Sequence, residues 1–106
     1  MFKCSILYPN HEDIRFDMMY YLERHMVMAK ELTRNGCLGT EVEVGVSRGK
    51  DVPFMVITHF YFRSQLDYET YLAPNIKSFA KDVPYFSNVE PIVQLSEVVM
   101  DELPTK

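Results

Sequence analysis

The residues best suited to chemistry in this chain are a histidine and a tyrosine one helical turn apart, His25 and Tyr21. At about 100° per residue of an α-helix, His25 falls at the centre of a stripe that is otherwise apolar. An imidazole with an ordinary pKa of about 6.5 can exchange a proton near neutrality, and a tyrosine on the same face can orient it. A titratable ring in such a place needs a hydrogen-bond partner or lines a pocket, so catalysis, ligand contact and a structural hydrogen bond all stay open.

An N-terminal helix is predicted to present these two side chains. Asp17 can cap the helix by accepting a backbone N–H of its first turn, and Phe16 and Tyr21 occupy the two positions of a hydrophobic staple. The helix is predicted to end near Asn35-Gly36, where a glycine can adopt the left-handed conformation of a C-cap. The side chains predicted to surround His25 on the apolar stripe are Met18, Tyr21, Leu22, Met28, Ala29 and Leu32.

The two remaining histidines are weaker candidates. His59 shares one face of a predicted strand with Met55 and Ile57, and it either contacts a second copy of the chain or shares a cavity with His25. His11 precedes two acidic residues, but the three histidines match no ligand-spacing motif, so no metal site is predicted. No cofactor is predicted either, and haem binding through His25 is the smaller alternative. The sequence also contains no serine–histidine–acid order, glycine-rich phosphate loop or cysteine nucleophile motif.

Three other polar residues lie in apolar surroundings. Asp82 precedes Val83-Pro84 at the end of a predicted helix, where a local cap or ion pair is the favoured interpretation. Gln94 and Ser96 are two residues apart, hence on one face of the last strand. They are predicted to form hydrogen bonds across a dimer rather than to a ligand.

The pattern of elements predicts the order β-α-β-β-α-β, an α+β ferredoxin-like fold with an antiparallel sheet. Ser64 is predicted to cap the second helix, Pro74 to kink or split it, and Pro84 to follow its last segment, Ile76 to Val83. The strands are predicted at about residues 2–8, 40–46, 53–62 and 92–100, with a turn at residues 47–51 joining the middle two.

The third strand is apolar on both faces. One face carries Phe54, Val56, Phe60 and Phe62, and the other carries Met55, Ile57 and Tyr61. An antiparallel sheet with one face in water should instead alternate apolar with polar residues. Because helices can cover only one face, the other is predicted to meet a second copy of the chain, giving a homodimeric α+β barrel.

Composition restricts the class of protein. With 106 residues, 47% of them hydrophobic and 25% charged, the chain is predicted to be one globular domain spanning residues 1–106. A net charge of −4 and the lack of a basic cluster argue against a nucleic-acid partner. The same argument applies to RNA-binding modules, which share the β-α-β-β-α-β order of elements. No segment has the apolar length of a membrane span, and the N-terminus is predicted to be a strand rather than a signal peptide. Two cysteines make no disulfide framework, which favours a cytoplasmic protein.

Several segments in order resemble the EthD family of the dimeric α+β barrel superfamily. They are SILYPN, FDMMYYLERHM, HFYF and DVPYF…EPIVQLSEVV, which together run from about Lys3 to Val99. The resemblance implies a dimeric ferredoxin-like barrel. Many relatives have proline directly after the HM pair, where this chain has Val27, so a straighter helix is expected here.

On function the resemblance implies a protein that handles a small apolar or aromatic compound in a degradative or biosynthetic pathway. Most members have no established reaction, and some fungal relatives are dehydratases. The alternative is a cofactor-free enzyme of dehydratase, isomerase or monooxygenase type, with His25 as general acid or base assisted by Tyr21. The residues predicted to contact the ligand are Tyr8, Leu22, Met28, His59, Tyr61, Phe79 and Tyr85.

Overall fold

A four-stranded antiparallel sheet forms the body of the protein. The computed structural model describes residues 1–46 and 52–104, so the predicted turn at residues 47–51 lies outside the described residues. The sheet order is β2-β3-β1-β4, which confirms the ferredoxin-like α+β fold. The strands are β1 (Phe2–Pro9), β2 (Cys37–Val44), β3 (Phe54–Phe62) and β4 (Ile92–Glu97).

The first helix begins as its sequence predicts. The carboxylate of Asp17 accepts the backbone N–H of Tyr20 at 3.0 Å, and the rings of Phe16 and Tyr21 meet with centroids 5.0 Å apart. The cap and the staple are both confirmed. The helix consists of α1 (Met18–Tyr20), a π-turn (Tyr21–His25) and α2 (Met26–Thr33).

A π-turn interrupts the first helix, which the expectation of a straighter helix did not include. Met26 N–H donates to the carbonyl of Tyr21, five residues earlier, so this turn contains one residue more than an α-helical turn. Residues after it are therefore rotated relative to an uninterrupted helix. His25 and Met26 are both buried as a result, whereas Leu32, predicted on the buried stripe, is exposed.

Gly36 has a different role from the predicted one. Its backbone is not in the left-handed conformation, so the expected glycine C-cap is wrong. A Cβ at this position would come within 1.9 Å of the Tyr71 ring. Glycine is needed here because an aromatic ring from the second helical region packs directly on the backbone.

Pro74 divides the second helical region, as predicted. Ser64 Oγ accepts the backbone N–H of Asp67 at 3.2 Å and begins the first segment. The region consists of α3 (Gln65–Tyr71), a 3₁₀ turn (Ala73–Asn75), α4 (Ile76–Asp82) and a second 3₁₀ turn (Val83–Tyr85). Both segments contribute residues to one cavity beside the sheet, among them Tyr68 from α3 and Phe79 from α4.

Two strand boundaries differ from the predicted ones. β2 begins at Cys37 rather than Thr40, because Cys37 pairs with Phe62 and a register shift before Gly39 lets the pairing continue. β4 ends at Glu97 rather than Met100, because Glu97 pairs with Phe2, the first residue of β1. Just beyond that point, the Val98 N–H still donates to the carbonyl of Met1 at 2.9 Å.

Alternation along β1 and β3 separates the two faces of the sheet. Cys4 pairs with Phe60, and both side chains are buried under the helices. Ser5 pairs with His59 on the opposite face, which no described helix covers; we call it the open face. Its apolar members include Leu7, Met55 and Ile57, so the two-faced pattern of β3 is confirmed. No helix in the described part of the chain is long and apolar enough to cross a membrane.

Candidate functional site

A cavity of about 510 Å³ lies between the helix-covered face of the sheet and α4. The sheet contributes side chains from β1, β3 and β4, and the π-turn, the α3 segment and the loop at residues 87–91 also line the cavity. Most of this lining is apolar, and its main contributors are Ile6, Phe60, Leu72, Ile76, Phe79 and Val83. The volume is in the range of small-molecule sites, which are typically about 300–1,000 Å³.

His25 supplies the cavity with a hydrogen-bonding nitrogen. Its Nδ1–H donates to Asp82 Oδ2 at 2.9 Å, and the residue is only 5% exposed. No described residue bonds Nε2, and no buried side-chain nitrogen or oxygen in the described chain lacks a partner. Since His25 lines the cavity, Nε2 is the nitrogen that reaches its open space.

The environment keeps this ring neutral at pH 7. Burial lowers the pKa of His25 below its usual value, and the hydrogen bond and charge of Asp82 oppose that effect by raising it. The net direction is downward, so the contact is a neutral imidazole donating to a carboxylate rather than an ion pair. A neutral ring with Nδ1–H engaged leaves a lone pair on Nε2, which can accept a proton or a hydrogen bond.

Asp82 receives a second hydrogen bond from a tyrosine. The Tyr20 hydroxyl donates to Oδ1 at 2.8 Å, so each carboxylate oxygen has its own donor. This contact raises the pKa of Tyr20, chiefly through the hydrogen bond to Asp82. Sequence reasoning assigned Asp82 a local role and missed this arrangement, because 57 residues separate Asp82 from His25.

Aromatic rings hold the imidazole in place. Tyr21 stacks on His25 with ring centroids 5.1 Å apart and an interplanar angle of 13°, and Phe86 packs against it at 4.7 Å. The Tyr21 hydroxyl hydrogen-bonds Thr58 Oγ1 at 2.6 Å across the buried face of the sheet. Tyr21 thus fixes the ring from one side rather than sharing a proton with Nε2.

Tyr8 packs against Tyr21, with ring centroids 5.8 Å apart. Burial, followed by the neighbouring Tyr21, raises the pKa of Tyr8 well above the usual value for a phenol. Burial is also the main cause that raises the pKa of Tyr21. Both phenols therefore stay protonated at any physiological pH and can act only as hydrogen-bonding groups.

The structure brings four of the nine predicted site residues to the cavity, namely Tyr8, Tyr21, His25 and Phe79. Leu22 is 47% exposed and Met28 half-buried on the first helix, and neither lines the cavity. Tyr85 is 72% exposed and stacks on Tyr20 outside it. The π-turn and the 3₁₀ turn at Val83–Tyr85 orient these side chains in ways that helical periodicity did not predict.

His59 and Tyr61 lie on the open face, on the other side of the sheet from His25. His59 Nε2 bonds Glu43 at 3.2 Å, and its Nδ1 lies 2.7 Å from Ser5 Oγ. Tyr61 donates to Glu41. His59 therefore does not share a cavity with His25, which was one of its two predicted placements, and lies on the face away from the cavity.

Hydrogen bonds on the open face connect Ser5, His59 and Glu43 into a polar row. The order of these residues in the sequence did not indicate such a serine–histidine–acid set. A nucleophilic serine needs oxyanion donors, and β1 is paired on both sides, which commits its backbone N–H groups to the sheet. Possible metal ligands on Glu41, Glu43 and His59 also lie within 4.8 Å of one another. Both ring nitrogens of His59 are already hydrogen-bonded, so a cation would have to break the bond to Ser5 or the bond to Glu43.

Fold and site together define a small α+β ferredoxin-like protein with an apolar cavity and a histidine–aspartate pair in its wall. The structure superposes on an EthD-like protein from Ralstonia eutropha JMP134 with a TM-score of 0.81 and 28% identity, covering 95% of this chain and 94% of that one. An ethyl tert-butyl ether D (EthD) family protein from Bacillus halodurans C-125 gives a TM-score of 0.71 at 17% identity, covering 93% and 99%.

A putative antibiotic biosynthesis monooxygenase from Deinococcus radiodurans shares the fold, with a TM-score of 0.61 at 17% identity and coverage of 99% and 98%. No family model matches the sequence, and no curated protein matches it. The chain is related to the EthD family, which confirms the resemblance found in its sequence.

The pKa of His25 predicts how stability depends on pH. As pH falls below about 6.5, the unfolded chain protonates His25 while the folded protein keeps it neutral to a lower pH. The free energy of unfolding should therefore fall with decreasing pH, by at most about 1.4 kcal/mol per pH unit for this proton. Urea unfolding from pH 7.5 to 5 should give a steeper dependence for the wild type than for His25→Gln, and parallel profiles would contradict the assignment.

Proposed function

We propose that the protein binds a small aromatic molecule in the cavity beneath α4. The observation that carries this proposal is the combination of about 510 Å³ of mostly apolar space with an unoccupied acceptor on a buried ring, His25 Nε2. Flat apolar walls such as Phe60 and Phe79, whose rings stack with an interplanar angle of 8°, suit an aromatic ligand. A hydroxyl on that ligand would satisfy Nε2 and set the ligand's orientation.

Obstructing the cavity should weaken binding. Ala80 lines the cavity from α4 at an exposed position, so the indole of Ala80→Trp should cover the cavity's opening and weaken the affinity for 2-naphthol by at least about tenfold. The neighbouring Lys81 is exposed and does not line the cavity, so Lys81→Trp is the matched control and should bind like the wild type. Calorimetric titration measures both, and equal affinity in Ala80→Trp would refute the site.

A second candidate function is cofactor-free catalysis, and the His25–Asp82 pair favours it. A neutral imidazole with a carboxylate behind it can accept a proton from a ligand hydroxyl or an acidic C–H and return it elsewhere. A dehydration or an isomerisation would need no further group. The relationship to EthD proteins and the fold shared with a putative monooxygenase support chemistry on small molecules of this kind.

The two functions separate at His25. A binding protein should keep most of its affinity for 2-naphthol in His25→Ala, because burial of the rings supplies most of the binding energy. An enzyme should lose turnover in the same variant while the cavity still fills. Retained turnover in His25→Ala would end the catalytic proposal.

The open face is proposed to pair with a second copy of the chain. Leu7, Met55 and Ile57 form an apolar centre on the two middle strands, and the row from Ser5 to Glu43 is already internally hydrogen-bonded. Face-to-face stacking of two such sheets would bury the apolar centre and keep the polar row satisfied. This arrangement is the homodimeric α+β barrel expected from the sequence.

A charge at the centre of the open face should dissociate the dimer. Ile57→Lys places an ammonium beside its cross-strand neighbour Glu43, which the monomer tolerates, but buries two such charges per dimer. The dissociation constant should rise by roughly 100-fold. Native mass spectrometry against protein concentration measures it, with Val27→Lys on the outer side of α2 as the control. A dimer that survives Ile57→Lys would place the interface elsewhere.

A further inference from the structure

Asp82 occupies a position that does not serve helix stability. It is the last residue of α4, where the helix dipole disfavours a negative charge, and its side chain is only 20% exposed. Its two oxygens are instead used by two residues of the first helical region, Tyr20 and His25. The carboxylate is therefore placed for those contacts and at some cost to its own helix.

The π-turn makes those contacts compatible. Tyr20 and His25 are five residues apart, which in a continuous α-helix would direct their side chains about 140° away from each other. A turn closed by an i→i+5 hydrogen bond, here from Met26 to Tyr21, brings residue i+5 back nearly over residue i. Both side chains can then reach the same carboxylate.

We propose that Asp82 is a positioning residue that holds His25 in the Nδ1–H tautomer, with Tyr20 fixing the carboxylate and the π-turn bringing the two donors together. The inference rests on the proposed role of His25 Nε2 in the cavity. A carboxylate can only accept, so Nδ1 must carry the proton and Nε2 must present its lone pair to the ligand. Tyr21 and Phe86 prevent the ring from turning away.

The groups around His25 make the effect of Asp82 measurable. The charged group that affects the pKa of His25 is Asp82 from α4. The neighbouring Tyr21 is uncharged, because burial raises the pKa of its phenol. Asp82 raises the pKa of His25 against the effect of burial. Removing its charge should therefore lower the pKa of His25 further, in addition to releasing the tautomer.

The test is ¹⁵N NMR of the ligand-free, histidine-labelled protein, in which ring nitrogen shifts report the tautomer directly. The wild type should show Nδ1–H at His25. Asp82→Ala and the isosteric Asp82→Asn should each show a new Nε2–H population and a lower His25 pKa. Tyr20→Phe should keep the Nδ1–H tautomer, because Oδ2 still accepts from His25.

Glu43→Gln is the matched control, since it alters the acid beside His59 and should leave His25 unchanged. An Nε2–H tautomer in the wild type, or a tautomer and pKa unaffected by both Asp82 variants, would overturn the inference. The measurement needs neither ligand nor turnover. An Nδ1–H wild type that fails to bind 2-naphthol would remove the proposed function and leave the positioning role intact.

Discussion

Replacing Phe86 by alanine should destabilise the folded protein by about 3–5 kcal/mol, a large share of the total for a domain of this size. Phe86 is 2% exposed and lies at the centre of the aromatic cluster. Five rings have centroids 4.7–6.2 Å from the centroid of Phe86, namely those of Tyr8, Phe16, Tyr20, Tyr21 and His25. The alanine would leave a void that these rings cannot fill without moving, because the sheet and both helical regions hold them.

Urea unfolding measures this loss, and Tyr85→Ala is the matched control. Tyr85 is the preceding residue but is largely exposed, so its truncation should change the free energy of unfolding by less than about 0.5 kcal/mol. Equal losses in the two variants would contradict the central place of Phe86. In Phe86→Ala the His25 ring should also lose its lateral support, which would broaden its NMR signals before the protein unfolds.

Replacing His25 by alanine should lower any turnover by roughly 10²–10⁴-fold, the usual contribution of a positioned general base. The affinity for 2-naphthol should fall much less, because the apolar walls remain. The reason for this split is that Nε2 supplies the only described basic nitrogen of the cavity wall, while most of the contact area comes from rings and aliphatic side chains.

The assay is a screen of hydroxylated aromatic compounds for turnover, followed by comparison of kcat and of binding in the variant. His59→Ala is the control, since His59 lies on the open face and should leave both quantities unchanged. If His25→Ala reduces binding and turnover equally, the ring contributes to ligand affinity and not to a chemical step. If His59→Ala is the damaging substitution, the chemistry belongs to the other face of the sheet.

Local signals in the sequence were sufficient to predict the architecture. Asp17 and Ser64 are caps whose action depends on residues within one turn, and Pro74 breaks its helix for steric reasons that need no tertiary context. The alternation in β3 separated the two faces of the sheet correctly. These features depend on near neighbours in the chain, which a sequence displays directly.

The candidate site depended on contacts between distant segments. The partner of His25 comes from α4, and nothing local to Asp82 distinguishes it from an ordinary residue at a helix end. The π-turn changed which residues share a face with His25, and a period of 3.6 cannot anticipate one extra residue. The face that carries His59 was undecidable from β3 alone, because both of its faces are apolar and only pairing with β1 assigns them.

The proposed function and the proposed dimer use opposite faces of the same sheet. His25 reaches the cavity on the covered face, while His59 and its polar row lie on the open face. The third histidine, His11, is in an exposed loop. The three histidines therefore report separately on the cavity, the proposed interface and solvent.

The most direct test of the cavity proposal is a titration of ¹⁵N-histidine-labelled protein with 2-naphthol, followed through the ring nitrogens. The predicted result is a saturable shift of His25 Nε2, with His11 and His59 unchanged and a smaller His25 shift for naphthalene, which lacks the hydroxyl. If 2-naphthol leaves His25 unperturbed, or shifts His59 in its place, then the cavity beneath α4 is not the ligand site.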